Sequence, residues 1–89
     1  MPNKMKLKAL SLFANVGIAE AYLESLGVHV AIANELLPER AKFYSCVYPK
    51  THMVQGDITQ DELRTSIIEE AKSKKVNFVI ATPPCQGMS

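Results

Sequence analysis

The sequence predicts an α/β domain built on one parallel sheet, and three observations carry that expectation. Short β-branched apolar runs alternate with longer amphipathic segments along the whole chain, in the order β-α-β-α-β-α-β. Successive runs are separated by about a dozen or more residues, which suits a crossover helix and not a hairpin. Glycine, asparagine and acidic residues collect directly after the runs, where an open parallel sheet carries its ligand-binding loops.

Lys6 to Phe13 alternates and then turns apolar, as a strand entering a core would. Asn15 and Gly17 form a tight turn into a helix over Gly17 to Leu26, in which Ile18, Ala21, Tyr22 and Leu26 fall on one face and Gly27 is placed to stop it. Val28 to Ala33 is the second strand, ending in Asn34 and Glu35. Pro38 suits a first helical position, and Glu39 to Tyr48 continues that helix until Pro49. His52 to Gln55 reads as a short third strand with Gly56 and Asp57 at its end. Thr59, with Glu62 three residues on, fits a capping box; Leu63, Ile67 and Ala71 then mark the buried stripe of a helix that runs out in Lys72-Ser73-Lys74-Lys75. Val76 to Ala81 is the fourth strand. Pro83 and Pro84 cannot donate to a ladder, so they end it and hold Cys85 in a narrow range of directions.

The chain has 89 residues, enough for one small domain, and its 47% apolar and 21% charged composition is that of a soluble globular protein. No apolar run approaches the roughly 18 residues a membrane span requires, and the N-terminus lacks a signal-peptide core, so the expected location is the cytoplasm with no membrane partner. Cys46 and Cys85 are too far apart for a paired ligand spacing, and His29 and His52 add no cluster, so no metal site is assigned. Cys46 lies on a helical pattern and reads as packing. A net charge of +1 gives no electrostatic argument for nucleic acid, and Lys4, Lys6 and Lys8 read as a solvated edge.

Candidate functional residues stand just past successive strand ends: Phe13, Asn15 and Gly17, then Glu35 and Leu36, then Asp57 and Ile58, then Pro83 and Cys85. Singly, each has an ordinary explanation. A glycine-containing turn is common turn chemistry, Glu35 and Asp57 read equally as solvated loop carboxylates, and a free cysteine is often a small buried hydrophobe. Together they match a nucleoside site, because a carboxylate after the second strand holds ribose hydroxyls and the first turn holds the rest of the ligand. The first turn lacks a full G-x-G-x-x-G, which argues against a dinucleotide and for a nucleoside without phosphates.

In order, Ser11-Leu12-Phe13-Ala14-Asn15-Val16-Gly17, Ala33-Asn34-Glu35-Leu36, Gly56-Asp57-Ile58 and Pro83-Pro84-Cys85-Gln86-Gly87-Met88-Ser89 resemble the cofactor and catalytic motifs of the DNA (cytosine-5) methyltransferases, especially those of bacterial restriction-modification systems. The resemblance implies a Rossmann-like S-adenosylmethionine-dependent methyltransferase fold, present in part, with the strands in spatial order 3-2-1-4 and flanking helices. It implies S-adenosylmethionine as cofactor and duplex DNA as partner, with the target cytosine flipped out of the stack. Residue by residue it implies that Phe13 packs on the adenine, Gly17 lets the backbone approach the cofactor, Glu35 holds the ribose hydroxyls and Leu36 contacts the adenine. Asp57 would recognise the adenine edge with Ile58 beside it, Asn15 and Pro83 would complete the cofactor site, and Cys85 would be the nucleophile. The first motif departs from the family pattern: Ser11 replaces an acid, and Asn15 and Ile18 replace two glycines, of which Asn15 tolerates positive φ.

Cytosine C5 is too weak a nucleophile to attack a sulfonium methyl unaided. A thiolate added at C6 turns the ring into an enamine, and loss of the C5 proton with expulsion of the thiolate completes the turnover. The competing readings are a non-catalytic S-adenosylmethionine-binding module or subunit, and an unrelated nucleotide binder. The resemblance covers the N-terminal part of such a catalytic domain, without its acid-bearing motif or target-recognition region. The 89 residues alone are therefore expected not to methylate DNA, and to need a C-terminal partner polypeptide or self-association along the sheet edge beside the fourth strand.

Overall fold

The computed structural model describes residues 7–15 and 17–82. Its strands β1 (Leu7–Leu12), β2 (Val28–Glu35), β3 (His52–Gln55) and β4 (Phe78–Ala81) alternate with helices α1 (Ile18–Ser25), α2 (Pro38–Val47) and α3 (Asp61–Ser73). All three strand pairings are parallel and the spatial order is β3-β2-β1-β4, as the sequence predicts for a Rossmann-like methyltransferase sheet. The order reverses between β1 and β4, so the switch point lies beside the first turn. The expected roles of Pro83 and Cys85, and the strand start at Lys6, fall outside the described residues.

Side chains of the two central strands divide between the two faces of the sheet, the alternation in β2 being broken once, between Val30 and Ile32. Ala9, Val28 and Val30 pack with Leu23 of α1, whereas Leu10 and Ile32 pack with Ile67 of α3. Ala33 returns to the first face and meets Tyr44 of α2. The pairing of β1 with β2 slips by one residue between Ala9 and Leu10, which accommodates Ala31 as an irregularity in β2. Full burial of a side chain such as Ile67 contributes about 1.5–3 kcal/mol, and three helices each supply such a contact.

Several local expectations are corrected. α1 does not bury the face marked by Ile18, Ala21, Tyr22 and Leu26: Ile18, Tyr22 and Leu26 are 71%, 73% and 76% exposed, and Glu20 and Leu23 face the core instead. A carboxylate can be buried there because the Tyr44 hydroxyl donates to Glu20 Oε2 at 2.7 Å. Thr59 does not cap α3; the N-cap is Gln60, and the Thr59 hydroxyl is engaged by Asp57. β2 runs on to Glu35, and β4 begins at Phe78 because Asn77 exchanges bonds with the Lys8 backbone, its amide donating to the carbonyl and its Oδ1 accepting from the N–H. Cys46 is exposed and does not pack in the core. His52 gains a partner, with Nδ1 lying 2.6 Å from Glu70 Oε2 on the exposed side of α3.

Candidate cofactor cavity

The register of the sheet brings the loops together. Leu12 is level with Asn34 on one side and Ala81 on the other, and Asn34 is level with Val54, so the chain leaves all four strands along one edge. Backbone bonds stitch the exits: Ala14 N–H donates to the Asn34 carbonyl at 3.0 Å and Gly56 N–H to the Glu35 carbonyl at 3.0 Å. Asn34, buried at the end of an apolar strand, donates its side-chain amide to the carbonyls of Val54 and Gly56, fixing the turn after β3 against β2.

Above this edge lies a cavity of about 380 Å³, within the about 300–1,000 Å³ range of small-molecule sites. Six of the residues singled out in the sequence line it: Phe13, Asn15, Glu35, Leu36, Asp57 and Ile58. Gly17 does not. It has φ +85° and faces α2, where an added Cβ would collide with the Tyr48 ring, so packing as well as conformation favours glycine there. Thr82, the last described residue before Pro83, lines the cavity and donates its hydroxyl to the Phe13 carbonyl at 3.1 Å. Asn34, Arg40, Thr59 and Thr82 were not picked out as site residues in the sequence. For Asn34 the signal was available, since an amide at the end of a buried apolar strand needs partners.

Glu35 is 6% exposed, and each of its carboxylate oxygens accepts a backbone N–H, Oε1 from Asn15 at 2.7 Å and Oε2 from Leu37 at 3.0 Å. A carboxylate has about four lone-pair positions, so two remain for ligand hydroxyls while the two backbone bonds fix the group's orientation. Asp57 Oδ1 accepts both the hydroxyl and the N–H of Thr59, and these bonds, the hydroxyl first, hold its carboxyl below the usual carboxylate range. Phe13, Leu36 and Ile58 contribute apolar surface from three different strand ends. Two fixed acids between apolar walls suit a ligand with an apolar planar part and a sugar with vicinal hydroxyls, and the described residues therefore fit an adenosine-bearing cofactor.

The first turn is unusual. Phe13 and Asn15 have φ +57° and Gly17 +85°, so three residues of one short turn adopt the left-handed region, two of them without the freedom of glycine.

The profile of the C-5 cytosine-specific DNA methylases matches residues 7–89. Among curated proteins the chain is 42% identical to Type II methyltransferase M1.HgaI of Avibacterium volantium over 97% of its own length and 24% of that protein's. It is 31% identical to Type II methyltransferase M.NgoPII of Neisseria gonorrhoeae over 93% of its length and 23% of the relative's. With Type II methyltransferase M.AquIA of Picosynechococcus sp. the identity is 32%, over 96% of this chain and 35% of the relative. The chain thus spans between about a quarter and a third of the length of these relatives. A match running through every strand and every cavity-lining loop shows that this chain belongs to the C-5 cytosine-specific DNA methylase family.

Proposed function

We propose that this chain provides the S-adenosylmethionine cavity and the nucleophilic cysteine of a DNA (cytosine-5) methyltransferase of restriction-modification type. Residues 1–89 are read as the N-terminal part of its catalytic domain. The observation that carries the reading is the ring of Phe13, Glu35, Leu36, Asp57 and Ile58 around one cavity at the sheet's switch point, in a chain matched by the family over residues 7–89.

Bound there, S-adenosylmethionine would supply the electrophilic methyl group. Glu35 accepts from the ribose hydroxyls with an orientation already set by Asn15 and Leu37, and Asp57 accepts from the adenine edge through its remaining oxygen. Phe13, Leu36 and Ile58 exclude water from the adenine faces. Asn15, Gly17 and Pro83 belong to the same cofactor site in this reading, Asn15 through its position in the cavity wall and Gly17 through the turn it closes.

Cys85 adds as a thiolate to C6 of a flipped cytosine, which raises electron density at C5; after methylation the C5 proton leaves and the thiolate is expelled. Duplex DNA is the substrate, and the cytoplasm is where such an enzyme meets it. Among the described residues no helix is long and apolar enough to cross a membrane.

The test is transfer of labelled methyl from S-adenosylmethionine to duplex DNA by the intact protein, followed by digestion to nucleosides. Label in 5-methylcytosine, abolished in Cys85→Ala and retained in Cys46→Ser, is the expected result. Label on an exocyclic amine, or transfer persisting in Cys85→Ala, would refute it.

A further inference from the structure

We infer that Tyr48 is a positioning residue for the cofactor cavity, acting through the strained turn at Phe13, Asn15 and Gly17; the inference rests on the cofactor reading above. Left-handed backbone at Phe13 and Asn15 persists only where the surroundings over-determine it. The sheet side of the turn is held by three bonds, Ala14 N–H to the Asn34 carbonyl, Asn15 N–H to Glu35 and the Thr82 hydroxyl to the Phe13 carbonyl, and Gly17 N–H closes the turn on the Ala14 carbonyl. The helix side is held from the C-cap of α2. The Tyr48 hydroxyl donates to the Gly17 carbonyl at 2.7 Å, and its ring occupies the space a side chain at Gly17 would need.

Tyr48 is itself fixed. Its ring packs on that of Tyr44 with centroids 4.9 Å apart, and Tyr44 donates to Glu20 in the first turn of α1. Glu20 is almost fully buried, and its Oε1 has no hydrogen-bond partner among the described residues, so the Tyr44 hydroxyl is the anchor for that carboxylate. Burial, then the neighbouring Glu20, pushes the Tyr44 hydroxyl up, which keeps it a donor at any physiological pH. Tyr44 of α2 and Tyr48, the C-cap of that helix, thus grip the first turn and the N-cap of α1 with their hydroxyls. Neither tyrosine lines the cavity, so each would act on the ligand only by holding Phe13 and Asn15 where they form its wall.

Tyr48→Phe removes the hydroxyl and keeps the ring. In the intact protein it should weaken S-adenosylhomocysteine binding by about five-fold, the equivalent of one neutral hydrogen bond, and raise KM for S-adenosylmethionine equally while leaving kcat at saturation unchanged. Leu23→Val, which trims the core under α1 away from the turn, should lower Tm and leave the affinity at its wild-type value. Glu35→Gln is measured alongside. If Glu35→Gln binds as wild type, the cofactor reading itself fails. If Glu35→Gln weakens binding but Tyr48→Phe does not, or if Leu23→Val weakens it as much as Tyr48→Phe, Tyr48 is ordinary packing and the inference is overturned.

Discussion

Replacing Glu35 by glutamine preserves the shape of the side chain but halves its capacity to accept. In the native protein both carboxylate oxygens receive a backbone N–H, from Asn15 at 2.7 Å and from Leu37 at 3.0 Å, in a nearly buried setting. A glutamine amide has one oxygen, so whichever way it turns, its NH₂ group faces one of the two donors. Leaving one of these partly buried N–H groups without an acceptor costs up to about 1–3 kcal/mol, which urea denaturation without ligand should report as lost stability. The ligand effect is separate. A charge-assisted bond to a ribose hydroxyl contributes about 1.5–3 kcal/mol, so Kd for S-adenosylhomocysteine should rise roughly 10- to 100-fold. Calorimetry well below Tm, where the variant is fully folded, isolates that second term. Lost stability with unchanged affinity would refute the reasoning, because Glu35 would then be only a brace between two loops.

Two further perturbations address the same edge of the sheet. Asn34→Leu removes the amide that bridges the Val54 and Gly56 carbonyls and should destabilise the fold by about 1–3 kcal/mol in urea denaturation; a wild-type midpoint would show that the bridge contributes nothing. Asp57 should titrate below an ordinary aspartate, and Thr59→Val should move its NMR-detected pKa back up. The sign follows from linkage. A depressed folded-state pKa means that the contribution of Asp57 is present above the ordinary carboxylate pKa and is lost as pH falls below about 4 toward the lowered value. An Asp57 that titrates identically in both proteins would contradict the Thr59 bonds.

Topology and most of the cavity were legible in the sequence, because both depend on local signals. Short apolar, β-branched runs marked the strands, long connections required parallel pairing, and Phe13, Glu35 and Asp57 stood directly at the strand exits that the register then levelled. What was not legible depends on partners distant in sequence. The stripe of Ile18, Tyr22 and Leu26 was the more apolar face of α1. Burial of Glu20 in its place is set by a tyrosine 24 residues away, which no periodicity can register. Thr59 had two possible uses, and the nearer Asp57 took its hydroxyl, leaving Gln60 as the N-cap. Asn34 signalled a need for partners but not that they would be the Val54 and Gly56 carbonyls, and Tyr48 acts on a carbonyl 31 residues away, through a bond visible only once the chain is folded.

The central claim is that these strand ends form an S-adenosylmethionine site, and a crystal structure of the intact protein with S-adenosylhomocysteine tests it most directly. The account predicts ribose hydroxyls on the Glu35 carboxylate, the adenine between Phe13, Leu36 and Ile58, and its amino edge at Asp57. Ligand bound elsewhere on the protein, or an adenine that contacts neither Phe13 nor Asp57, would contradict it.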